Sequence, residues 1–169
     1  MGSIEALRQK LGIADAHIVR EGLLATINFF DTFVRDDPMI WWQYLKGIDY
    51  HQQVEIRYLG RGTPLVRYES PGEHLLKPFS YFTNPGSSPF RGRARFPAWE
   101  CKTYSVLVEL PTLVSRSSGA GFDSRSRTVR SIGGTQFLVA FADWPKLIQI
   151  DEPDQSDDSD FRQARAIGF

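Results

Sequence analysis

The sequence predicts an α+β fold, a small twisted and mainly antiparallel sheet preceded by an N-terminal helical segment. Three observations predict it. Apolar residues recur at helical spacing through the first 47 residues. Beyond residue 50, short runs rich in β-branched and aromatic residues alternate with Gly/Pro turns. No helix-length segment separates the later runs, and a parallel sheet would need such crossovers.

The helical part starts at Ser3, which can cap "IEALRQKL", with Gly12 as its stop. From Asp15 onward, Ile18, Val19, Leu23, Ile27, Phe30 and Val34 mark one face of a second helix. Asp37 followed by Pro38 reads as a cap and first-turn proline for a third, "MIWWQYLKG", ending at Gly47. Strands are expected over residues 51–59, 64–70, 77–83, 102–110, 135–141 and 146–152. "GRGTP", "SPGE", "NPGSSP" and "SSGAG" read as the turns between them. The chain thus divides into a helical cap (1–47), a β-rich region (48–150) and an acidic, flexible tail (151–169) opening with "DEPDQSDDSD".

With 169 residues the chain can bury one real core. The apolar share of 41% is ordinary, but 13% aromatic is high and predicts an aromatic core or pocket wall. A net charge of +0 removes any global case for nucleic acid or an anionic membrane. No run approaches the roughly 20 apolar residues of a membrane span, and "MGSIEALRQKLG" lacks a signal peptide's basic start and apolar run. The chain therefore reads as soluble. The single cysteine, Cys101, reads as a small buried apolar side chain. There is no phosphate loop, dinucleotide fingerprint or nucleophile elbow. His17, His51 and His74 are scattered, so no metal site is expected.

What remains is arginine, aromatic and amide chemistry. Arg67 sits in "PLVRYES", where alternation places it on a face with Leu65 and Glu69. It reads either as a strand arginine paired to an acid or as a fixed guanidinium that grips phosphate. The segment "NPGSSPFRGRARFPAW" interleaves Arg91, Arg93 and Arg95 with Phe90, Phe96 and Trp99. Such a loop can hold a nucleotide, serve as a single-stranded RNA platform, or be a solvated basic loop. Finally, "SIGGTQF" places Gly133 and Gly134 before Gln136 at the mouth of an apolar strand. It is a hairpin turn with an exposed glutamine, or a close backbone approach that presents an amide to a ligand.

In order, these features resemble the TNT-like NAD glycohydrolases, which include C-terminal toxin domains of bacterial polymorphic toxins and fungal surface NADases, and which are related to ADP-ribosyltransferase-like folds. The matching stretches are Arg67-Tyr68, Phe82-Thr83-Asn84-Pro85, Pro89-Phe90-Arg91-Gly92-Arg93-Ala94, Tyr104-Ser105-Val106 and Gly133-Gly134-Thr135-Gln136-Phe137. They span roughly residues 60–142, about half the chain, and their specificity lies in collinearity. The chain departs from the pattern at Ser105, where members often place a histidine. It departs again at "GFDSRSRTVRS", where they usually carry Pro-Trp-Phe-Gly-Gln before the glycine pair.

The resemblance implies an NAD glycohydrolase that cleaves NAD to nicotinamide and ADP-ribose. It implies Gln136 and Arg67 as catalytic residues, with Gln136 beside the nicotinamide ribose and Arg67 and Arg93 on the pyrophosphate. Tyr68, Phe82, Gly133, Gly134 and Phe137 would complete substrate binding. NAD would be substrate, with no separate cofactor. The implied setting is a secreted or delivered effector with an inhibitory or immunity protein as partner. Two alternatives stay open: a mono-ADP-ribosyltransferase, and a non-catalytic module that binds a nucleotide or RNA.

Overall fold

The Ser3 hydroxyl accepts the Ala6 amide at 3.3 Å and opens helix α1, Ile4–Leu11. Gly12, at φ 69°, closes it in the left-handed conformation. The computed structural model describes residues 3–69, 77–84, 100–118, 120–123, 128–131 and 134–150. Helix α2, His17–Phe29, carries the expected stripe of Val19, Leu23 and Ile27, all buried. It runs on into a π-helical turn, Phe30–Val34, closed by Arg35 at φ 61°. Asp37 accepts the Met39 amide at 2.9 Å and caps a 3₁₀ turn, Pro38–Trp41, which leads into the short helix α3, Trp42–Leu45.

Seven strands build one antiparallel sheet. They are β1 (Glu55–Leu59), β2 (Pro64–Glu69), β3 (Phe79–Thr83), β4 (Glu100–Val106), β5 (Leu110–Arg116), β8 (Thr135–Ala140) and β9 (Leu147–Ile150). Their spatial order is β1-β5-β8-β3-β2-β4-β9, and every pairing is antiparallel. A separate hairpin joins β6 (Ala120–Asp123) to β7 (Thr128–Ser131). The fold is the expected α+β class, with its helices at the N-terminal end.

Two strand expectations need correction. The run expected over 102–110 ends at Val106, turns through exposed Leu107 and Val108, and gives way to β5. Pro111 hid β5, because proline donates no ladder hydrogen bond. It is accommodated because Pro111 pairs with Tyr58 of β1, whereas the pairing with β8 starts only at Leu113. The stretch expected to be a plain turn at "SSGAG" instead enters β6, a strand without the alternating apolar residues that would have marked it.

Strand alternation splits the core across the sheet. One face packs on the helices: Phe79, Leu113 and Leu138 meet Leu7, Val19, Leu23, Ile27 and Phe30. Gly22 of α2 is a contact point, since a Cβ there would lie 3.0 Å from the Tyr50 ring and 3.1 Å from Val54 Cβ. The Tyr50 hydroxyl bonds Thr26 Oγ1 at 2.9 Å. Burial pushes that phenol well above its ordinary pKa, and the Thr26 hydrogen bond opposes the shift only in part. The opposite face carries a second cluster of Leu65, Phe82, Tyr104, Val114, Phe137 and Val139, with Trp144 packed against it.

Candidate functional site

Arg67 projects from β2 onto that second face. It is only 3% exposed, which is unusual for a guanidinium, so its surroundings must be built to hold charge. Its Nη2 donates to Ser80 Oγ on β3 at 3.1 Å. The guanidinium carbon lies 5.2 Å from the centroid of the Trp144 ring, within cation–π range. Lys102 of β4 stands directly opposite Arg67 in register and so on the same face. Phe82 borders this centre, with Tyr104 edge-on at 5.5 Å and Trp144 at 5.8 Å. Phe137 of β8 is the register partner of Phe82, so Arg67, Phe82 and Phe137 lie across three adjacent strands on one face.

Gln136 precedes Phe137 and therefore points to the other side. Its register partners are Thr83 and Ser115, and its amide faces the helical layer. Gln136 Nε2 donates to the Gly47 carbonyl at 2.9 Å and to Ser115 Oγ at 3.1 Å. Ser118 N donates to the same Gly47 carbonyl at 2.9 Å, and Asp49 N donates to Arg116 O at 2.8 Å. Gln136 thus fastens the chain between α3 and β1 onto the sheet. Gln136 is 9% exposed, so it is not the exposed glutamine of the plain hairpin reading. The sheet does not bring Arg67 and Gln136 to a common cleft, because consecutive strand residues face opposite ways.

The other expected site residues divide between the described parts and the rest. Gly134 is described: its carbonyl accepts from Ser117 N at 2.7 Å and helps hold the start of β8 to the end of β5. Tyr68 lies in β2 opposite Cys101, with its backbone alone described. Arg93 and Gly133 lie outside the described residues, as do Arg91, Arg95 and His74. Ser105, where the resembled family often places histidine, alternates with Tyr104 and so faces away from Arg67. His17 and His51 are exposed, and His17 pairs with Glu21 at 3.0 Å. Among the described residues there is no cluster of three metal-ligating side chains and no helix long and apolar enough to cross a membrane.

The sequence reading missed Ser80 and Trp144. Ser80 sits in "KPFSYFT", where a lone hydroxyl on an apolar strand was the available signal. Trp144 follows β8 in a 3₁₀ turn, Phe141–Lys146, and swings back over the sheet. Nothing local in "FADWPK" announces that return.

The overall fold is found in a solved protein. The chain has the fold of Tse6. The structure of Tse6 in complex with Tsi6 matches 82% of this chain and 100% of that one, with a TM-score of 0.62 at 17% sequence identity. Rhs1-CT, solved in complex with its cognate immunity protein RhsI1, gives a TM-score of 0.41 at 20% identity over 64% of this chain and 83% of that one. No protein-family model and no curated sequence matches the chain.

Proposed function

We infer that the protein is an NAD glycohydrolase acting as a toxin effector domain, cleaving NAD and water to nicotinamide, ADP-ribose and a proton. The observation that carries this reading is the Arg67 centre, a buried guanidinium held by Ser80 and Trp144 beside Phe82 and Phe137 on one sheet face. It offers what a dinucleotide needs, a preorganised cation for phosphate and aromatic walls for a ring. The collinear motifs and the fold shared with Tse6 support the same reading. Tse6 was solved with a bound partner, Tsi6, which supports an immunity partner for this chain as well.

The chemistry makes modest demands. Nicotinamide in NAD is a cationic leaving group, and the bond breaks through an oxocarbenium-like transition state. Water attacks the anomeric carbon, the C–N electron pair leaves with neutral nicotinamide, and the water's second proton passes to solvent. A site that anchors phosphate and orients the ribose suffices, without a strong nucleophile. Arg67 is the anchor in this reading, Arg93 a second cation on the pyrophosphate, and Phe82 and Phe137 the walls. Gly133 and Gly134 give backbone clearance, and Gln136 acts by position, holding β8 and the Gly47 turn in place.

The test is to incubate the purified protein with NAD and follow nicotinamide and free ADP-ribose. Arg67→Met keeps volume and removes the charge, so the fold should survive while cleavage falls by about 100-fold or more, the scale of removing one preorganised electrostatic contact. No nicotinamide from folded wild-type protein would end the proposal. Nicotinamide without free ADP-ribose, with label on a macromolecule, would make it a transferase.

A further inference from the structure

Three strands away from Arg67, on the same face, the sheet forms a polar groove of about 280 Å³. Its walls include Gln53, Glu55, Arg57, Arg116 and Thr135. Register shows why they converge. Thr135 pairs with Arg116, and Glu55 pairs with Val114, which in turn pairs with Phe137. All of them therefore share the face of Phe137, Phe82 and Arg67. Glu55 already pairs with Arg57 and accepts from Gln53 Nε2, so Arg57 is largely neutralised within the wall. Arg116 differs. It is exposed, and among the described residues its guanidinium has neither an ion-pair nor a hydrogen-bond partner. The groove thus combines one uncommitted cation, a threonine hydroxyl and glutamine amides, a donor-rich set suited to phosphate and sugar oxygens.

We propose that this groove is a second anion subsite, with Arg116 as its cation and Thr135 as its hydroxyl donor, and that it takes a phosphorylated ribose of the substrate nucleotide. The proposal rests on the nucleotide reading above. Adjacent strands lie about 4.8 Å apart, so β5 and β2 place Arg116 and Arg67 roughly 14 Å apart across the sheet. Phe137 and Phe82 lie buried in the core beneath the interval. A ligand that reaches both cations must be elongated and anionic, as a dinucleotide is and a mononucleotide is not. The groove is small for a whole drug-sized ligand and right for a fragment of one. The geometry also assigns a part to the Gly-Gly-Thr-Gln stretch. Thr135 is its side chain on the substrate face, while Gln136 is its anchor on the other.

The experiment measures ADP-ribose affinity by calorimetry and the steady-state constants for NAD cleavage in wild type, Arg116→Ala, Arg116→Lys and Thr135→Val, with Arg61→Ala as an exposed control outside the groove. Arg116→Ala should weaken ADP-ribose and raise KM for NAD by about 10-fold, with kcat within about twofold, as expected for losing one charge-assisted hydrogen bond. Arg116→Lys should recover part of the loss, and the weakening should shrink as salt is raised. If wild type cleaves NAD and Arg116→Ala leaves KM and affinity unchanged, the subsite is wrong and the NAD reading stands. If wild type cleaves no NAD yet binds ADP-ribose through Arg116, the hydrolase reading fails and the subsite stands. If folded wild type neither cleaves NAD nor binds ADP-ribose, both fall.

Discussion

Removing the Gln136 amide separates a positioning role from direct contact with substrate. Gln136→Ala deletes the bonds to Gly47 O at 2.9 Å and Ser115 Oγ at 3.1 Å. The Gly47 carbonyl keeps Ser118 N, so it is not orphaned, whereas the buried Ser115 hydroxyl loses its donor. Two net hydrogen bonds at about 1 kcal/mol each, with one hydroxyl left less satisfied, give a loss of about 2–3 kcal/mol. For a chain of this size that lowers Tm by about 5–10 °C. Urea unfolding followed by circular dichroism should show a lower midpoint at unchanged slope. Nicotinamide release at 15 °C, where the variant remains folded, should stay within about tenfold of wild type, the range of a modest geometric shift rather than a lost catalytic contact. A variant with wild-type Tm and abolished cleavage would refute the argument, because the amide would then serve the substrate rather than the fold.

Other outcomes follow from the packing. Gly22→Ala places a methyl 3.0 Å from the Tyr50 ring and should cost about 1–3 kcal/mol by denaturant titration, despite alanine's better helix propensity. Thr103 Oγ1 is buried and has no hydrogen-bond partner among the described residues, so Thr103→Val should raise stability by about 1 kcal/mol, read as a higher urea midpoint. The Tyr50 phenol has a folded-state pKa raised above its unfolded one, so the stability it contributes is complete below about pH 10 and lost as pH rises beyond. Unfolding titrations from pH 9 to pH 11 should therefore show wild type losing stability relative to Tyr50→Phe, and equal slopes for the two would contradict the burial argument.

Much of this protein is written in local pattern. Ser3, Gly12, Asp37 and Pro38 mark helix ends by their own chemistry, and each acts there as expected. The stripe through Val19, Leu23 and Ile27, and the β-branched runs after it, are enough for the α+β class. Alternation also placed Arg67 with Leu65, because a strand's period is a property of the backbone. Local pattern failed at β5, where a proline is harmless only because its neighbour on that side starts two residues later.

The site depended on relations that no short motif contains. Trp144 reaches Arg67 from a turn more than seventy residues away in sequence, and Ser80 does so from the next strand. Gln136 was visible as an odd residue at a strand's mouth, but its partner is Gly47, a carbonyl in the helical connection. From sequence alone, residue types and their order determined the helices, most strands and the presence of an arginine–aromatic chemistry. Only the tertiary structure decided which face each motif residue occupies. Facing is set by strand register, and register by the pairing of β8 between β3 and β5, which leaves Thr135 beside Arg116 and turns Gln136 toward the helices.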